Sequence, residues 1–223
     1  MAITTAVRSD TQIQADVLAE LKWDARVQPN EVGVSVKDGI VTLTGYVDSY
    51  TKKWAAEERA HRVAGVKAVA NDIQVRLPGS SERTDADLAG AARRALEWNT
   101  LVPADRVRVT VSNGFVTLEG DVDWQYERDA AERAVRNLVG VKGVSNLIRV
   151  KPNAMPQNIK ERIEQALRRI IEEDARNITV EVEGSKVILR GTVRSWAERQ
   201  EAERTAWSAP GITSVDNRIT ISY

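Results

Sequence analysis

DGIVTLTG, residues 38–45, returns as NGFVTLEG at 113–120 and as GSKVILRG at 184–191. Two readings compete for this stretch, a glycine loop that holds a ligand or a hairpin turn between strands. A phosphate-cradling loop needs GxxxxGK[ST] or GxGxxG where a strand meets a helix, and neither pattern occurs. Asp38-Gly39 and Asn113-Gly114 are instead the pairs a type I′ turn selects, because both central residues must take positive φ. Gly184-Ser185 suits type II′, which places Gly first. Gly45, Gly120 and Gly191 end the second strand and mark a bulge or a close backbone approach.

The match spreads outward from these glycines. Shifts of 75 residues (45 to 120) and 71 residues (120 to 191) superpose Val32-x-Val34-x-Val36, Val107-x-Val109-x-Val111 and Ile178-x-Val180-x-Val182. They also superpose Gly65-Val66, Gly140-Val141 and Gly211-Ile212, and then Asn71, Asn146 and Asn217, each leading an alternating tail. Before each hairpin lies a helical stripe at i, i+4, i+8: Ile13, Val17, Leu21; Leu88, Ala92, Leu96; Ile159, Ile163, Leu167. After it lies a second helix with a small-residue face: Ala56, Ala60, Val63; Ala131, Val135, Leu138; Ala202, Ala206, Ala209. The fold class is therefore α+β. Three tandem αββαβ sandwich modules are expected at 10–77, 84–151 and 156–223, each a three-stranded mixed sheet covered by two helices. The linkers PGSSERTDAD (78–87) and KPNAMPQN (151–158) are polar and short, so the units should pack on one another.

These residues carry a resemblance. DG-x-VTLxG-x-V, an Ala-rich helix and GVxxVxNxIxV are similar to the BON domain, the domain of bacterial osmotically inducible periplasmic proteins and nodulation proteins. VTLEGDVD…GVKGVSNLIRV fits best, VTLTGYVDS…GVKAVANDIQV fits well, and VILRGTVRS…PGITSVDNRITI is looser. The resemblance implies small αββαβ sandwiches, a binding module for phospholipid surfaces or envelope proteins, and an association with osmotic or envelope stress.

Composition narrows the chemistry. Lys and Arg total 32, as do Asp and Glu, so there is no bulk electrostatic pull toward nucleic acid and no nucleic-acid partner is expected. There is no cysteine and one histidine, His61, so neither a thiol nucleophile nor a metal site of several histidines can be built within one chain. The carboxylates mostly alternate with Arg and Lys on helices, as in Glu198-Arg199-Gln200-Glu201, or cluster as Glu172-Glu173-Asp174, in the manner of solvated faces. No catalytic residue, cofactor or metal site is expected. The first residues lack a basic segment followed by an apolar run, which gives a cytoplasmic expectation, or a periplasmic one had a leader been removed.

Six tryptophans against one phenylalanine are the informative residues. Trp23 and Trp98 are equivalent and lie about 100° off their helical stripes, where the following loop should cover them. Trp54 and Trp207 lie off the alanine faces. They suit a contact between repeats, an oligomer interface such as a homo-oligomer, or a lipid headgroup layer. Trp54 stands beside Lys52 and Lys53 in TKKWAAEER, and these three side chains together with Trp207 are the candidate contacts with a phospholipid surface or a protein partner. The expected function is a non-enzymatic, stress-associated binding or scaffold protein. The alternative is a sensor of a small ion or small ligand.

Overall fold

A computed structural model describes residues 8–28, 30–151, 158–170 and 178–221. The second linker between 152 and 157, and Glu172-Glu173-Asp174, lie outside the described residues. The first module runs α1 (Asp10–Trp23), β1 (Val32–Lys37), β2 (Ile40–Val47), α2 (Tyr50–Arg62), β3 (Ala68–Asn71) and β4 (Gln74–Val75). The second runs α3 (Asp85–Glu97), β5 (Val107–Ser112), β6 (Phe115–Val122), α4 (Gln125–Arg136) and β7 (Gly143–Val150). The third runs α5 (Ile159–Ile170), β8 (Ile178–Glu183), β9 (Lys186–Val193), α6 (Trp196–Trp207) and β10 (Ser214–Ile221).

Each hairpin pairs antiparallel, and the last strand then joins the hairpin's second strand in parallel, so all three sheets are mixed. In the first module that last strand breaks after Asn71 and resumes as β4, still parallel to β2. Helix starts are fixed by side-chain caps. Ser9 and Gln12 form a reciprocal capping box, Thr84 Oγ1 accepts from Asp87 N at 3.1 Å, and Ser195 Oγ accepts from Glu198 N at 3.2 Å.

The turns take the geometry their residues dictate. Asp38 and Gly39 have φ of 54° and 78°, and Asn113 and Gly114 have 53° and 84°. In both modules a carboxylate from the first turn of the first helix clamps the turn. Asp10 accepts from the Asp38 and Gly39 amides at 2.8 and 2.9 Å, and Asp85 from those of Asn113 and Gly114 at 2.7 and 2.9 Å. The third module has Pro156 at the equivalent sequence position. Its turn is tied instead by Ser185 and Thr213, whose hydroxyls lie 2.7 Å apart.

Gly45 and Gly120 make the close approach. At Gly45, φ is 125°, and a Cβ would lie 2.0 Å from the Glu31 carbonyl oxygen. That carbonyl accepts from Tyr46 N at 3.2 Å, so the start of β1 is bound tightly against the end of β2.

The helices cover one face of each sheet. The predicted stripes are the buried ones: Ile13, Val17 and Leu21 under α1, Leu88, Ala92 and Leu96 under α3, and Ile163 and Leu167 under α5. Ala56 and Ala60, Ala131, and Ala202 and Ala206 are fully buried, and their small side chains let the second helices sit close to the strands. The repeated asparagine locks helix to strand. Asn71 Nδ2 donates to Lys53 O and to Glu57 Oε2, while its Oδ1 accepts from Ile73 N. Asn146 and Asn217 repeat the pattern with Glu132 and Glu203.

Candidate functional site

The second helices α2, α4 and α6 meet at a three-way junction, and each contact joins two modules. The Arg136 guanidinium on α4 sits 3.6 Å from the centre of the Trp54 ring on α2. His61 on α2 stacks on Trp196 of α6, with ring centres 4.1 Å apart and planes 19° off parallel. Trp207 on α6 packs against the cores of both the second and third modules, and Tyr50 on α2 packs against the core of the second. His61, Arg136 and Trp207 occupy one repeat position, so each module uses that position to grip another. Three unlike contacts thereby close the modules around one centre.

A cavity of about 1040 Å³ lies at this centre. Its walls carry five acidic and five arginine side chains, together with Trp54, Trp124, Tyr126, Trp196 and Trp207. Burial pushes the Asp129 carboxyl up, opposed by Arg133, and pushes the Arg136 guanidinium down. Burial also lowers the pKa of His61, so its neutral form is favoured against Trp196. Among the described residues no cluster of three or more His, Asp or Glu is arranged to hold a metal ion.

Of the sequence-predicted contact cluster, Trp54 and Trp207 lie at this junction while Lys52 and Lys53 are tied within the first module, and the four do not form an exposed patch. Trp54 is half-buried under Arg136. Lys52 Nζ lies 2.8 Å from Asp48 and 3.6 Å from Glu31. Lys53 Nζ donates to Ile73 O at 2.8 Å, a helix-to-strand tie repeated by Arg128 with Asn146 O and by Arg199 with Ile219 O. Trp207 is half-buried between modules. Gly39, Gly114 and Gly184 stand in the hairpin turns, Gly45 and Gly120 at the close approaches, and Gly191 pairs with Ile178 in the same register with φ of 133°.

Trp23 and Trp98 reverse the expectation. They are 86% and 87% exposed. No loop covers them because the chain turns inward directly after each helix. In the first module, Asp24 is buried and held by Arg26 at 2.6 Å and by Arg59 at 2.8 Å. In the second, Val102 is buried within the core while Leu101 stays half exposed. Helical phase showed that these rings leave the stripe, but it carried no signal of whether the next residues fold over them. The third module has Arg169 at this position, also exposed. No described helix is long and apolar enough to cross a membrane.

The chain matches the BON domain family three times, at residues 9–76, 84–152 and 159–223. It is 32% identical over 146 residues to osmotically-inducible protein Y of Escherichia coli strain K12, covering 64% of this chain and 73% of that protein. The cytoplasmic location expected from the first residues is corrected by this relative, which is a periplasmic secreted protein. The pattern of the first residues does not decide the compartment. Among solved structures, the C-terminal domain of CdsD, a structural protein of the Type III secretion system of Chlamydia trachomatis, aligns at 12% identity over 97% of this chain and 100% of its own, with a TM-score of 0.26. A second CdsD structure aligns at 12% identity over 93% and 91%, with a TM-score of 0.24. At these scores the alignments carry no argument.

Proposed function

This chain belongs to the BON domain family, and on that premise we propose that it is a stress-associated binding protein that attaches to phospholipid surfaces through Trp23 and Trp98. Family membership and the similarity to osmotically-inducible protein Y make it a non-catalytic binding protein. The carrying observation is the pair of tryptophans at equivalent helix ends, each more than four-fifths exposed. A large amphipathic ring left in water at the same place in two modules suits a headgroup layer, where one face is apolar and the indole N–H stays wet. Zero net charge points to insertion of rings rather than long-range attraction to anionic lipid.

Two weak contacts on one chain reinforce each other by avidity. In this reading the expected contacts Trp54, Lys52, Lys53 and Trp207 act at one remove, by building the junction and helix ties that fix the modules relative to one another. Flotation with neutral phosphatidylcholine vesicles and with vesicles containing anionic phosphatidylglycerol tests the proposal. The wild-type chain should float with both, and Trp23→Ser with Trp98→Ser should stay in the dense fraction while keeping its circular dichroism. Equal flotation of the double variant would sink this assignment.

A further inference from the structure

We infer that the groove between α3 and the loop joining α4 to β7, in the second module, binds the headgroup of an anionic phospholipid such as phosphatidylglycerol. The inference rests on the attachment through Trp23 and Trp98 proposed above, and it separates two modules that this attachment treats alike. The groove holds about 440 Å³ beside α3. Its floor is apolar, built from Leu88, Ala91 and Leu138, and Val139 stands at its rim, 57% exposed. Arg83 and Arg94 supply its cations, and both side chains are exposed. Trp98 lies one helical turn beyond Arg94 on the same face of α3 and is open to solvent.

The repeat shows how the second module differs from the first. Arg83 has Arg8 as its equivalent, Arg94 has Ala19, and Ala91 has Asp16. In the first module Arg8 is taken up by an ion pair with Asp16. In the second, alanine at 91 leaves Arg83 without that partner. Arg83 Nη1 donates to Ser80 O and Glu82 O at 3.0 and 2.7 Å. A guanidinium carries further N–H groups, and these stay free for a ligand. Gly140 gives room to the Arg83 stem, since a Cβ there would lie 3.0 Å from Arg83 Cβ and Cγ. The Arg94 guanidinium makes no ion pair or hydrogen bond among the described residues. Asp87 also lines the groove, and it accepts from Thr84 Oγ1 at 2.7 Å. One carboxylate against two guanidinium groups leaves the groove cationic within a chain of zero net charge. A lipid phosphate takes paired hydrogen bonds from arginine, while the carbons beyond it meet Leu138 and Val139. A choline ammonium is repelled by the same two arginines, so the groove favours a headgroup that carries no cation.

Flotation of the intact chain over a range of lipid concentrations tests this, with vesicles of phosphatidylcholine alone and of phosphatidylcholine mixed with phosphatidylglycerol. The mixed vesicles should bind the wild-type chain about fivefold to tenfold more tightly, the gain of one to two arginines at an anionic surface. Ala91→Asp recreates the pair that Asp16 makes with Arg8 and should remove most of that preference with unchanged circular dichroism. Arg94→Gln, at an exposed site, serves as the second variant should the first lose structure, and should weaken binding to the mixed vesicles about fivefold. Millimolar glycerol phosphate should not release the chain from the mixed vesicles. Equal binding of the wild-type chain to both vesicles, lost from both in the double tryptophan variant, would overturn the inference and leave the attachment standing. A preference retained by a folded Ala91→Asp or Arg94→Gln variant, or release by glycerol phosphate, would overturn it as well. Failure of the wild-type chain to float with either vesicle would remove the attachment and the role of the groove together.

Discussion

Removing the Arg136–Trp54 contact tests whether the modules form one body. The guanidinium lies 3.6 Å from the ring centre, and the Arg136 side chain is only 11% exposed. A cation held over an indole contributes ~0.5–1 kcal/mol when exposed and ~2 when desolvated. The low exposure places this pair near the upper value, at about 1.5 kcal/mol. Glu132 is 3.9 Å from the same guanidinium and adds little at that distance. A double-mutant cycle with Arg136→Met and Trp54→Leu isolates the pair, since methionine keeps an unbranched apolar stem and leucine an apolar side chain. Read by urea denaturation with a slope of about 3 kcal/mol/M, the coupling amounts to about 0.5 M in the midpoint. Because the pair is shielded from solvent, the coupling should persist when salt is raised well beyond the screening of surface charges. A coupling within about 0.3 kcal/mol of zero is the additivity found for independent sites, and it would show that the first and second modules do not lean on each other through this contact.

Three further outcomes are expected. Gly45→Ala should lower stability by about 3 kcal/mol or more, combining strained backbone with a clash against the Glu31 carbonyl, whereas Gly184→Ala, with φ of 57° and open space around its Cβ, should lose only about 1–2 kcal/mol; equal denaturation midpoints would contradict the close-approach reading. Asp24→Asn should lose about 3 kcal/mol at neutral pH, as for a broken buried ion pair. Hydrogen bonds from Arg26, with Arg59 assisting, hold the Asp24 carboxyl well below the usual range. Its contribution is therefore fully present above the unfolded value of about 3.9 and fades as pH falls below it, so the wild-type and variant stability curves should converge only in that acid window; a gap constant down to strong acid would refute the assignment. Asn146→Ala should destabilise by about 1–3 kcal/mol, because Ile148 N and Arg128 O lose their partner together, and a change below about 0.5 kcal/mol would count against the helix-to-strand lock.

The fold was legible where one residue type alone meets a local demand. Asp-Gly and Asn-Gly named their turns because few pairs tolerate two successive positive φ values, and the terminal glycines named a close approach that a Cβ would block. The carboxylate clamp was also written in the sequence, as Asp10 and Asp85 each stand 28 residues before their turn. Only the structure joins those aspartates to the turn amides. The junction was not legible. Its contacts pair unlike residues from different modules, Arg136 with Trp54 and His61 with Trp196, so no periodicity relates them. The position shared by His61, Arg136 and Trp207 carries three unlike residues, and nothing in that difference reveals that the face turns inward. The exposed pair Trp23 and Trp98 was missed for the opposite reason. A ring off the core stripe is either covered or bare, and the direction of the following chain decides which.

Quenching of tryptophan emission by vesicles made with brominated lipid tests the central claim most directly, because bromine on the acyl chain reports only rings that enter the bilayer. Variants that keep Trp23 and Trp98 while the four junction-lining tryptophans become phenylalanine, checked first for retained fold, should be quenched by brominated vesicles and should shift to shorter wavelength. The complementary variant, with serine at positions 23 and 98 and the junction intact, should not be quenched. Quenching confined to the junction tryptophans, or none in the intact chain, would contradict attachment to phospholipid through Trp23 and Trp98.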